Sequence, residues 1–266
     1  MSYAGLLHNS LKRRTIVQLE IEPLESVRVG GERSTEMSAV DLPIVKYADG
    51  RPFIPGSSLK GMFRAEFTRV LNGMESSRVK GIIGMSRVEG DTSEIQELQR
   101  KYTTKELVRY VIDSAKGDDS GVLGVVDLLF GCPIFASPTV FTDALPVDWE
   151  KLRREGVESV RTRTHVFIDL DSDVAKERHL VEVESVDPIL KFRGKVIYNS
   201  LNYGGQGDSV VDRAFNAFLQ LFQGREVLIG GWRSRGYGLS RVTFKEAQEL
   251  PFSLRPEGAK SEGSRR

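Results

Sequence analysis

Two short runs place cations beside turn-forming residues, and both have the composition of an anion site. Residues 54–64 read IPGSSLKGMFR. Pro55-Gly56 breaks the preceding segment, and Ser57 or Ser58 is a good N-cap for the helix that follows. Leu59, Met62, Phe63, Phe67 and Val70 recur at helical spacing, with Lys60 and Arg64 off that stripe and one turn apart. A helix entered this way turns free N–H groups and the positive end of its dipole toward whatever lies before Gly56. Small residues there admit a phosphate. The competing reading is a solvated helix face with a serine cap. The spacing of a nucleotide-triphosphate loop is absent.

The second run is GGWRSRGYG, residues 230–238. Five glycine or serine positions frame Arg233 and Arg235, with Trp232 and Tyr237 interleaved. Glycines such as Gly236 allow close backbone approach, arginines pair with phosphates through two hydrogen bonds, and aromatics stack on bases. A tight hairpin whose glycines serve only turns is the plainer alternative.

Composition restricts the classes available. The chain has 266 residues, enough for one large domain or two small ones. Its 38 basic and 37 acidic residues leave a net charge of +1, so any nucleic-acid surface must come from local clustering. A single cysteine, Cys132, excludes a disulfide framework and a cysteine-rich zinc site, and reads as a small buried residue. No apolar run is long enough for a membrane span, and the N-terminal MSYAGLLHNSLKRR lacks a signal-peptide core. The expectation is a cytoplasmic protein with no membrane partner.

The elements that must hold these runs follow from periodicity. RRTIVQLEIEPLESVRVGGE alternates like a half-buried strand, and a helix runs from about Ser57 to Leu71. Residues 73–120 are charged and read as an insertion with one helix, capped near Thr92-Ser93 and running from Glu94 to about Ala115. SPTVFTDALPV reads as a strand, while THVFIDLD and LVEVESVD are able to pair as a hairpin. KVIYNSLNY is a strand, SVVDRAFNAFLQLFQG a helix with Gly224 just past its end, and EVLIGGW and LSRVTFKEA further strands. Without the excursions the order suits an α+β, ferredoxin-like arrangement with helices on one face of an antiparallel sheet. The polar tail, residues 251–266, is expected to be disordered.

Three blocks of the chain resemble the RAMP superfamily of CRISPR proteins, in particular the backbone subunit of type III (Csm/Cmr-type) effector complexes. They are GGERSTEMSAVDLPIVKYADGRPFIPGSSLKGMFR (30–64), THVFIDLDSDVAKERHLVEVESVDPILKF (164–192) and LIGGWRSRGYGLSRV (228–242). The resemblance implies a modified RNA-recognition-motif (ferredoxin-like) palm over residues 1–250, with the insertion at about 73–120 and a thumb-like β-hairpin at about 163–193. It implies stacking of copies along a CRISPR guide RNA, beside other effector subunits, with complementary target RNA as the second nucleic acid. Gly56, Ser57, Ser58, Lys60 and Arg64, with Arg233, Arg235 and Gly236, would then line the RNA channel.

The resemblance also selects a carboxylate. In type III backbone subunits an A-[IV]-D-x-P run carries the aspartate needed to cut target RNA, and here it is Ala39-Val40-Asp41-Leu42-Pro43, with Leu42 where serine is common. Residue types alone would make Asp41 a turn former. A lone carboxylate is able to orient or deprotonate a ribose 2′-OH, or to hold a hydrated divalent metal such as Mg²⁺, which keeps most of its waters. The run Asp169, Asp171, Asp173 lacks the glycine and glutamate of a calcium loop and reads as turn chemistry. His8, His165 and His179 read as packing or surface residues away from the helix entrance, which disfavours a guide-processing nuclease. Rival readings are a binding-only RAMP scaffold and a stand-alone guide-processing endoribonuclease.

Overall fold

The computed structural model describes residues 10–30, 40–168, 175–204 and 207–251, with the side chains of 166–168, 175–179 and 251 not included. Asp169, Asp171, Asp173, the side chains of His8 and His179, and the tail lie outside the described residues.

Alternation of apolar residues builds the central strand β1 (Leu11–Pro23), which buries Val17, Leu19 and Ile21 on one face. It is flanked by β6 (Phe192–Leu201) and β8 (Leu239–Pro251), both antiparallel to it. The short strand β2 (Thr139–Phe141) extends the sheet beyond β6, and β7 (Glu226–Leu228) extends it beyond β8. The expected single strand at SPTVFTDALPV is interrupted: β2 ends at Phe141, and β3 (Leu145–Pro146) pairs β6 separately. Between them Ala144 exchanges both backbone hydrogen bonds with Ile54 instead.

Helix α1 (Gly56–Asn72) buries Leu59, Met62, Phe63, Phe67 and Leu71. Leu71 completes the stripe in place of Val70, because successive steps of four from Leu59 land on it. Helix α7 (Val210–Phe222) packs beside α1, and Phe63 and Phe67 meet the Phe218 ring edge-on at 5.2 and 6.0 Å. Its start is a capping box between Ser209 and Asp212, and Gly224 follows its end with a φ of +68°. The order β1–α1–β2–β6–α7–β8, with sheet order β2-β6-β1-β8, is the split βαβ arrangement of a ferredoxin-like palm.

The charged excursion is helical but more divided than its sequence predicts. It holds α2 (Ser76–Ile83), α3 (Thr92–Lys101) and α4 (Thr104–Ala115), followed by the buried α5 (Val125–Phe130). The single helix expected from Glu94 to Ala115 is broken at Tyr102-Thr103, where Thr103 and Glu106 form a new capping box. The cap of α3 is Asp91, which accepts from Ser93 N at 2.7 Å. Past α6 (Trp149–Arg154), strands β4 (Val160–Ile168) and β5 (Ala175–Val186) form a separate antiparallel hairpin with Thr164 opposite Glu182.

Candidate nucleic-acid interface

The β5 strand of the hairpin is tied to the palm by backbone bonds to Val27 and Leu42, and the glycine-arginine loop joins the first of these segments. Val27 and Val186 exchange backbone hydrogen bonds at 2.9 and 2.8 Å. Leu42 lies along the open edge of β5, donating to Glu182 O at 3.0 Å and accepting from Glu184 N at 3.1 Å. Gly231 N donates to Arg28 O at 2.8 Å, and Gly30 bridges Ile44. The three sequence blocks that carry the RAMP resemblance therefore share one seam.

Asp41 sits at its rim, exposed, where its Oδ2 accepts from the backbone N–H of Glu182 at 2.9 Å. No second bond engages the carboxylate among the described residues. Deeper in the seam, Glu184 accepts from Ile44 N at 3.0 Å and pairs with Lys46.

The glycine-arginine loop closes the seam from the other side. It contains a single 3₁₀ turn, Arg233–Arg235, entered through Trp232 at a φ of +61°, a left-handed value costly for a bulky residue. Gly230 and Gly238 are fixed by crowding: a Cβ there would lie 2.1 Å from Arg28 O and 2.2 Å from Ile229 O. Gly236, at a φ of +83°, has open space around it. Arg233 and Arg235 are exposed; Arg233 Nε donates to Gly230 O at 3.1 Å, and the Arg235 guanidinium lies 4.3 Å over the Trp232 ring.

His165, on β4 of the hairpin, faces this loop. Its Nε2 is 2.8 Å from the Tyr237 hydroxyl, and its ring meets Trp232 edge-on at 4.8 Å. Burial, with Arg235 and Arg163 nearby, lowers its pKa below 6.5. His165 is thus a packing histidine, as its sequence suggests, and its partners lie on a loop 72 residues later.

The entrance of α1 also departs from its sequence reading. Neither Ser57 nor Ser58 caps the helix: Pro55 is the N-cap residue, with no side-chain bond. The N–H of Gly56 is taken by Asp143 Oδ1 at 2.8 Å, while Asp143 Oδ2 accepts from Tyr47 Oη at 3.0 Å. A native carboxylate thus occupies the place in front of Gly56 where a phosphate was expected. Gly56 is buried, and its missing side chain serves packing, since a Cβ would fall 2.1 Å from Phe141 O. Ser57 is exposed and Ser58 half-buried.

Arg64 turns inward. Its guanidinium donates to Gly131 O at 2.6 Å and to the buried Asp127 at 3.1 Å, and pairs with Glu89. Lys60 has no ion-pair partner among the described residues; burial, then the neighbouring Arg64 charge, lowers its pKa. The two cations expected to share an anion therefore differ in availability. Sequence reading missed Arg28, Lys46, Asp143 and Glu184. Only Arg28 left a trace, as a cation between two valines just before Gly30-Gly31.

Among the described residues no three His, Cys, Asp or Glu side chains cluster to hold a metal, and no helix is long and apolar enough to cross a membrane.

The domain is thus a ferredoxin-like palm with a hairpin rooted beside a glycine-arginine loop. The chain belongs to the RAMP superfamily, whose profile matches residues 20–242. A chain of the cryo-electron-microscopy structure of a type III-B Cmr-beta complex bound to cognate target RNA is similar in fold. It has a TM-score of 0.51 and 14% identity, over 86% of this chain and 96% of that one. A chain of the apo-state complex gives 0.48 and 15% identity, over 87% and 97%. No curated protein matches the chain.

Proposed function

We propose that this chain is a guide-RNA-binding backbone subunit of a type III CRISPR effector complex. It would stack with copies of itself and with other effector subunits, and cut the paired target RNA at Asp41. Family membership and the fold of the type III-B neighbour support the assembly. One observation carries the catalytic part: an exposed aspartate whose Oδ2 is fastened to the thumb backbone while its other oxygen is free among the described residues.

Such a carboxylate is positioned rather than mobile, the requirement for a group that must meet a ribose 2′-OH in line with the scissile phosphate. Asp41 would orient that hydroxyl and take its proton; Lys60, Arg233 and Arg235 would hold flanking phosphates. A single free carboxylate oxygen fits a hydrated Mg²⁺, which takes few protein ligands. Such a metal, held at Asp41, would supply positive charge near the phosphate.

The binding-only scaffold is the second reading, favoured by the same hydrogen bond: Asp41 already has structural work in pinning the 41–44 segment to β5. Asp41→Asn separates the two, because the amide oxygen is able to accept from Glu182 N. Guide-loaded complexes of both variants are given labelled complementary RNA at matched occupancy. Cleavage by the Asn variant should fall ~10²–10⁴-fold with affinity retained. Chelation of divalent metal should reproduce the loss, and products should end in 2′,3′-cyclic phosphate and 5′-hydroxyl. Wild-type rates in the Asn variant would leave the scaffold.

A further inference from the structure

Arg28 is the most buried cation among the described residues, with 7% of its surface accessible. Its Nε is buried with no hydrogen-bond partner among the described residues. A buried charge without an acceptor is among the most costly arrangements a fold can keep. Burial accordingly lowers the Arg28 pKa, and the nearby Tyr237 and Glu184 oppose that only in part. Neither neighbour supplies the missing hydrogen bond. The Glu184 carboxylate serves Ile44 N and Lys46, and the Tyr237 hydroxyl is bonded to His165.

Backbone pairing keeps the guanidinium in place, and two glycines lie beside it. Its backbone is locked between the Val27–Val186 pair and Gly231, which donates to Arg28 O. A Cβ at Gly30 would lie 3.2 Å from Nη1, and one at Gly231 would lie 3.6 Å from it. The Nη1 atom thus reaches between two positions that carry no side chain. Arg233 and Arg235 stand on the same loop as Gly231, exposed.

We propose that Arg28 is a preorganised receptor for one phosphate of the RNA strand, approached over Gly30 and Gly231. This rests on the RNA-binding reading above and adds to it a buried anchor beneath the exposed arginines. A phosphodiester supplies both what the guanidinium lacks, acceptor oxygens in the planar two-point geometry and a negative charge. Water satisfies a donor but brings no charge. A carboxylate from a neighbouring subunit has the charge, but the exposed arginines flanking the approach favour a polyanion, which meets several cations at once.

Stability and binding should move in opposite directions. In Arg28→Met the full-length chain loses a buried unpaired charge and keeps a side chain of similar reach, so its RNA-free Tm should rise. Its affinity for a fluorescein-labelled oligouridylate should fall on the order of ten- to a hundredfold. The slope of log K against log salt should lessen by about 0.7. Arg28→Lys should keep the slope and bind more weakly than wild type, since an ammonium cannot make the two-point contact. A lower Tm in the Met variant with unchanged affinity would make Arg28 structural and overturn the proposal. Loss of RNA-free self-association with affinity intact would assign it to a partner carboxylate, also overturning it. Should the Met variant not fold, wild-type affinity in the Lys variant overturns it too. A wild-type chain that does not bind the probe would instead defeat the RNA-binding reading itself.

Discussion

Arg64 and Arg28 present the same chemical group in two regions with opposite arrangements. At the start of α1, Arg64 reaches three acceptors, one of them the buried Asp127, and Gly56 N–H is closed by Asp143. That region resembles an anion site in sequence, but in the fold its arginine and the Gly56 N–H are engaged internally, leaving only Lys60 unpaired among the described residues. At the hairpin seam, Arg28 is more buried, and its Nε has no hydrogen-bond partner among the described residues. Cation density therefore does not mark a ligand site by itself; how each cation is partnered in the fold matters as much.

The largest effect expected from the comparison is on stability at α1. Arg64→Met leaves Asp127, 2% exposed, with the N–H groups of Gly90 and Gly124 as its only hydrogen-bond partners among the described residues. Fully buried pairs lose ~3–5 kcal/mol on such a change, and the partly open Arg64 should place this variant near ~3 kcal/mol, read by chemical denaturation. A variant stabilised like Arg28→Met would erase the distinction between the two arginines.

Next comes Gly56→Ala, where the added carbon meets the Phe141 carbonyl. Overpacking should cost ~1–3 kcal/mol by the same measurement, whether or not RNA is present. A variant as stable as wild type, but weak in RNA binding, would return Gly56 to the ligand side of the comparison. Asp143→Ala removes the carboxylate from the helix entrance and should cost ~1 kcal/mol, as a lost cap does.

Smaller still is Lys60→Ala. With Arg64 engaged, Lys60 alone should account for one phosphate contact, reducing the salt slope by about 0.7 for single-stranded RNA. An Arg64 variant that lowers the slope equally, while folded, would show that its internal pairs yield to RNA.

The mildest effect is on pH. His165 has a folded-state pKa below its ordinary 6.5, so folding favours the neutral ring. Its contribution is complete above 6.5 and is lost as pH falls through that value toward the folded pKa. Acidification should therefore loosen the hairpin from the glycine-arginine loop, seen as faster amide exchange in β4, and His165→Phe should remove that dependence.

Much of this molecule could be read from its sequence because its pattern is local. Alternation along β1, the stripe on α1, the Ser209 capping box and the β4–β5 pairing each depend on neighbours a few residues away or on one turn. Arg233 and Arg235 stood out by their run and Asp41 through the family resemblance, and all three are exposed. What the tertiary structure decided was the partner of each polar group. Asp143 caps a helix 87 residues earlier, Glu184 receives Ile44 across 140, and His165 meets Tyr237 across 72. No periodicity encodes such choices, because a carboxylate or guanidinium bonds whichever complementary group packing brings within reach. Whether a cation is paired, like Arg64, or buried with an unpartnered Nε among the described residues, like Arg28, is settled only when the chain is folded.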